Sequence, residues 1–144
     1  RPSEPISLQR MAGDNYINLT WSAPLDYGGV ASLAYNVYNG NSPTTLLKTA
    51  SSIAPLFFID TGLTNGQTYY YAVSAVNIVG EGPFSIIVNA TPYSLPSEPV
   101  TLITESGDGF INVSWTQPTD NGGDTSLKYT VYSHTQATSY TAFA

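Results

Sequence analysis

Side chains that could do chemistry are sparse in this sequence and stand far apart. Cysteine is absent, which excludes thiolate nucleophiles, thiolate metal sites and a disulfide framework together. The single histidine, His134, gives any triad or metal site at most one imidazole. With no cysteine, second histidine or acid cluster beside it, it is expected as a solvated loop residue. The ten Asp and Glu residues show no paired spacing that would set a general acid opposite a general base. Asp14, Asp26, Asp108, Asp120 and Asp124 fall in loops at strand ends, where clustered oxygens could hold Ca²⁺. Their expected role is Asx-turn bonding to the backbone. Neither catalysis, a cofactor nor a bound metal is expected.

Chemistry of recognition has more material. Eleven tyrosines raise sugar stacking, with Tyr27, Tyr70 and Tyr93 as outward candidates, although most tyrosines of a β-protein are core or cross-strand partners. Carbohydrate therefore ranks behind protein as a partner. Asn18-Leu19-Thr20, Asn89-Ala90-Thr91 and Asn112-Val113-Ser114 fit the N-glycosylation pattern, and alternation turns Asn18 and Asn112 outward. The pattern also arises by chance in a chain rich in Asn and Thr. A net charge of −6 repels phosphate and anionic lipid, so nucleic acid and membrane surfaces are poor partners. Apolar runs such as Leu56-Phe57-Phe58-Ile59 and Ile86-Ile87-Val88 have strand length and are too short to span a bilayer.

The elements that must position these residues are announced by a repeat. Ile17-Asn18-Leu19-Thr20-Trp21-Ser22-Ala23-Pro24 returns as Ile111-Asn112-Val113-Ser114-Trp115-Thr116-Gln117-Pro118, and the two tryptophans stand 94 residues apart (115 − 21). Apolar and small polar residues alternate in both copies. That period of two describes a strand with one buried face, stopped by the proline. At the same offset Pro2-Ser3-Glu4-Pro5 matches Pro96-Ser97-Glu98-Pro99, and Leu33–Tyr38 matches Leu127–Tyr132. The first copy continues with a weak strand over 44–48, Leu56–Asp60, the long Tyr69–Asn77, a turn at Gly80–Pro83 and a last strand over Phe84–Ala90. In Tyr69–Asn77, alternation puts Tyr69, Tyr71, Val73 and Ala75 on the inner face. Seven short strands with Gly, Pro and Asn turns and no helical period predict an all-β sandwich.

Along its whole length the first copy resembles a fibronectin type III module of the variety found in secreted prokaryotic proteins. The residues that carry the resemblance are Trp21, Pro24, Asp26 and Gly28-Gly29, then Tyr35-Asn36-Val37, Asp60–Asn77 and Gly80-Glu81-Gly82-Pro83-Phe84-Ser85. The Leu63…Gly66…Tyr69 spacing resembles the family's tyrosine corner. The resemblance implies an immunoglobulin-like β-sandwich used for binding, spacing or assembly, without activity of its own.

Domain organisation follows as a complete module over 1–94 and the N-terminal half of a second over 95–144, truncated after its first four strands. Overlaid on the first copy, Ala144 falls on Ala50. Nothing in 95–144 matches the strands that in this family form the middle of both sheets. Ile111, Val113, Trp115, Tyr129 and Val131 would then face water, which makes a free half-sandwich costly at roughly 25 cal/mol per Å². These five residues are the candidate assembly surface. Two sheet fragments are expected, Pro99–Leu102 with Ile111–Trp115 and Leu127–Tyr132 with Tyr140–Phe143, each keeping an unpaired inner edge. Completion could come from another chain, by two-fold pairing or by strand insertion into a filament. It could also come from the same polypeptide beyond Ala144, since a start at Arg1 reads as a processed product or an excerpt. The expected role is a non-catalytic structural or adhesive segment of an extracellular, cell-surface tandem-repeat protein or filament. The rival is an accessory module of a secreted polysaccharide-degrading enzyme.

Overall fold

The structure is a computed structural model that describes residues 1–135 and the backbone of 141–143. In chain order the first copy forms β1 (Ile6–Gly13), β2 (Tyr16–Ser22), β3 (Ala34–Gly40), β4 (Leu47–Ile53), β5 (Phe57–Thr61), β6 (Tyr69–Asn77), β7 (Gly80–Phe84) and β8 (Val88–Ala90). One sheet has the order β1-β2-β5. The other runs β4-β3-β6-β7, with β8 also paired to β6. Every pairing is antiparallel.

The alternation in the sequence decides which faces meet. Ile17, Leu19 and Trp21 of β2 point inward with Leu8 of β1 and meet Tyr35 and Val37 of β3 and Tyr71, Val73 and Ala75 of β6. Trp21 keeps only 5% of its surface exposed, and its indole lies edge-on to Tyr35 at 5.5 Å between ring centroids. Tyr69 packs at the margin of the same core. Its hydroxyl accepts the Thr64 backbone N–H at 3.0 Å, so the expected tyrosine corner is formed.

Several boundaries have a local cause. β1 runs on to Gly13 rather than stopping near its leading proline. Asn15, at φ 59°, closes a tight turn that lets Gln9–Gly13 pair with β2. The weak strand expected over 44–48 lies at Leu47–Ile53, because residues 42–45 are spent on a turn in which Thr45 N–H reaches Ser42 O at 3.3 Å. The last strand is split. Ser85 turns inward to accept the Val73 N–H through Oγ at 3.1 Å, which separates β8 from β7. Gly80–Pro83, expected as a turn, belongs to β7 instead; Gly82 lies so near the Pro2 carbonyl oxygen that a Cβ there would stand 2.3 Å from it.

The second copy repeats the beginning of this plan. β9 (Val100–Gly107) pairs with β10 (Phe110–Thr116), and β11 (Val131–Ser133) pairs with β12 (Thr141–Phe143). β9 starts one residue later than expected and runs well past Leu102. The expected strand Leu127–Tyr132 is reduced to β11; among the described residues no strand pairs with Leu127–Thr130 as β6 pairs with β3. Tyr140 lies outside the described residues. Ser7 and Thr101, equivalent in the repeat, both take φ 56°, so even the irregularity of the first strand is copied.

Candidate interaction surface

The five residues singled out in the second copy can be compared with the same five in the first. Ile17, Leu19, Trp21, Tyr35 and Val37 are all buried. Their counterparts Val113, Trp115, Tyr129 and Val131 are half-buried and Ile111 is exposed. The contrast is sharpest at the first position, where Ile17 is 0% and Ile111 69% exposed. The structure does bring part of the set together. Trp115 and Tyr129 stack at 5.5 Å, tilted by 54°, much as Trp21 meets Tyr35. The Tyr129 hydroxyl is shielded from solvent and finds no hydrogen-bond partner.

Backbone pairing repeats the contrast. β2 is flanked by β1 and β5, and β3 by β4 and β6. Among the described residues β10 pairs with β9 alone and β11 with β12 alone. Each therefore offers an edge that in the first copy is filled by a further strand, β5 beside β2 and β6 beside β3; β6 is central to its sheet, whereas β5 closes the edge of the other rather than lying in its middle as expected. Ile103 and Phe110 add exposed apolar area on the same hairpin.

The other candidates separate rather than converge. Asn89 and Asn112 are exposed, whereas Asn18 is half-buried with its carboxamide oxygen shielded and unbonded. Tyr27 lies in the loop beside Arg1, Tyr93 lines the groove between the copies, and Tyr70 lies on β6; they form no common platform. Asp26, Asp120 and Asp124 each accept an amide two residues ahead, at 2.7, 2.8 and 2.8 Å, the Asx bonding expected of them. Asp14 accepts from the Asn65 carboxamide at 2.9 Å. His134 lies on the surface just past β11. No three metal-ligating side chains gather among the described residues.

Two polar clusters that sequence reasoning missed hold the first copy together. Asp60, buried in β5, accepts from the Tyr71 hydroxyl at 2.9 Å and the Asn39 carboxamide at 2.8 Å, tying one sheet to the other. Burial, then the Asp60 carboxylate, push the Tyr71 phenol well above its ordinary range. Glu81 on β7 accepts from Tyr38 at 2.5 Å, from Ser74, and from Lys48 at 3.3 Å. One carboxylate thus spans β7, β6, β3 and β4. Glu81 was read as a turn residue, and only the folded register reveals its reach.

The Glu81 carboxyl is raised by partial burial, but hydrogen bonds from Ser74, Tyr38, Asn36 and Lys48 outweigh this and hold it down at about 2. A carboxyl depressed in the folded state stabilises above its ordinary pKa of about 4.5 and loses that contribution as pH falls toward 2. Glu81→Gln should therefore flatten part of the acid limb of a stability–pH profile between about 4.5 and 2. At pH 7 it should cost about 1 kcal/mol, small because the site is partly open to water. Urea unfolding of both proteins across that range measures it; parallel profiles would show that Glu81 is not the titrating clamp.

A scaffold of two antiparallel sheets closed on one core, with ionisable groups that clamp strand to strand, belongs to the class of β-sandwich modules. Residues 2–91 match the family model for the Fibronectin type III domain, and the chain belongs to that family. It is 29% identical to the Kelch domain-containing protein SSO1033 of Saccharolobus solfataricus over 130 residues, which is 90% of this chain and 17% of that protein. It is 33% identical to Exoglucanase B of Cellulomonas fimi over a 144-residue alignment covering 91% of this chain and 12% of that protein. The chain thus spans less than a fifth of either relative. Among solved structures, a Fn3-like protein from Clostridium thermocellum superposes with a TM-score of 0.55 at 29% identity, covering 67% of this chain and 98% of that one.

Proposed function

We propose that the chain is a non-catalytic structural and adhesive segment of an extracellular tandem-repeat surface protein or filament, in which residues 95–144 bind protein strands. The observation that supports this reading is that Ile111 is exposed, and Val113, Trp115, Tyr129 and Val131 only half-buried, at positions whose counterparts form the closed core of the first copy. Apolar area left open at the free edges of β10 and β11 gives an incoming strand both backbone bonds and a core to fill. The strands that seat there come from another copy, closing a sandwich around a two-fold axis or extending a fibre, or from the same polypeptide. The net charge of −6 disfavours phosphate-bearing partners and supports protein as the partner. The three N-glycosylation patterns, at Asn18, Asn89 and Asn112, would be used only in a glycosylating secretory pathway.

Light scattering on the purified 144-residue chain tests assembly. A dimer or polymer in which Trp115 is shielded from acrylamide is expected; a monodisperse monomer with Trp115 open to the quencher would rule out completion by another molecule. The likeness to Exoglucanase B favours a second reading, an accessory or spacer module of a secreted polysaccharide-degrading enzyme. Co-sedimentation with insoluble cellulose, reduced in a Tyr27→Ala/Tyr93→Ala variant, would favour that reading.

A further inference from the structure

The two copies meet through bare backbone. A Cβ on Gly123 would stand 2.4 Å from the Gly66 nitrogen, and one on Gly66 would stand 2.6 Å from the Gly123 carbonyl oxygen. Neither position accepts a side chain unless the copies part. Around this contact Gly66 N–H donates to Pro92 O at 2.8 Å and Ser94 N–H to Gly122 O at 3.0 Å. These bonds tie the short linker to both sides of the junction.

The loop that forms the second copy's side of the junction is built twice. Gly122 N–H donates to Asp120 Oδ1 at 2.8 Å, and Gly28 N–H to Asp26 Oδ1 at 2.7 Å. Ser97 N–H donates to Asp120 O at 2.9 Å, and Ser3 N–H to Asp26 O at 2.8 Å. Gly122 and Gly28 take φ 69° and 67°, Gly123 and Gly29 take 90° and 77°. One difference stands out between the loops. Gly123 is pressed against Gly66, whereas a Cβ on Gly29 would meet nothing within 4 Å.

We propose that the Gly28-Gly29 loop is a docking surface for another copy of this module, stacked ahead of Arg1, whose Asn-Gly corner (the equivalent of Asn65-Gly66) seats on Gly29. The internal junction supplies the template: the same loop, with the same Asx bond and left-handed glycines, already holds such a corner at Gly123. The partner is thus a module of this family carrying Asn-Gly just before its tyrosine corner, fixed at the angle the two copies here adopt. The inference rests on reading the chain as part of an array, but not on the β10–β11 edges.

The test adds residues 1–94 ahead of the full chain, so that Ser94 of the added copy leads into Arg1 at native spacing. Spin labels on neighbouring copies then report distances across the new junction and the internal one. A narrow distribution at the new junction, matching the internal one, is expected. Gly29→Asn in the middle copy should broaden the new junction only, and Gly123→Asn the internal one only. In the unextended chain Gly29→Asn should shift Tm by less than about 2 °C, because asparagine tolerates the left-handed region and the space is open. A broad new junction, or one that Gly29→Asn leaves unchanged, would overturn the docking surface. A narrow new junction in a chain that stays monomeric would uphold it while removing assembly through the second copy.

Discussion

Trp21→Ala is expected to cost the first copy ~3–5 kcal/mol, the range for removing a large aromatic side chain from a closed core. Trp21 is packed edge-on against Tyr35 between two sheets, so the surrounding residues cannot collapse into the space. At roughly 4–8 °C per kcal/mol for a domain of this size, Tm should fall by more than about 10 °C. The repeat supplies an internal control. Trp115 occupies the equivalent position in a half-open setting, so Trp115→Ala should leave the transition of the first copy in place. Thermal unfolding followed by far-ultraviolet circular dichroism measures both. Equal effects from the two tryptophans would mean that the two cores are alike, contrary to the exposure described above.

Asp60→Ala should be the most damaging polar change, at about 2–3 kcal/mol. It removes the carboxylate that accepts from both the Tyr71 hydroxyl and the Asn39 carboxamide, and an unsatisfied buried donor costs on the order of 1–3 kcal/mol. Asp60→Asn keeps an acceptor oxygen and should recover part of the loss. Tyr71→Phe combined with Asp60→Ala should cost less than the sum of the single changes, because the second removes a partner already gone. Urea denaturation of the four proteins closes that cycle. Strict additivity would show that the bond between the sheets contributes nothing.

Much of the fold is legible because residue alternation carries it. Ile17, Leu19 and Trp21 mark one face of β2 from type alone, and Leu63, Gly66 and Tyr69 mark the corner by spacing. What could not be read depends on register and on backbone geometry. Glu81 sits between two glycines in a segment that looks like a turn, and its hold on four strands follows from β7 pairing with β6. Ser85 is an ordinary polar residue in an apolar run until its hydroxyl is seen taking a ladder position. The junction glycines repeat in the sequence as Gly28-Gly29 and Gly122-Gly123, yet only the contact with Gly66 says what they are for. The proposed assembly surface was visible as a pattern lacking partners. Its five residues were expected to face water; Ile111 does, while Val113, Trp115, Tyr129 and Val131 are half-buried, Trp115 against Tyr129.

Completion by another molecule, as proposed, requires the free edge of β10 to take up a strand from another protein chain. Amide hydrogen exchange along Phe110–Thr116, followed in the 144-residue chain as its concentration rises and with the scattering mass taken on the same samples, decides this. Exchange along β10 should slow to the level of β2 as the mass rises above that of a monomer. Exchange that stays fast along β10 at every concentration, at an unchanging monomer mass, would contradict it.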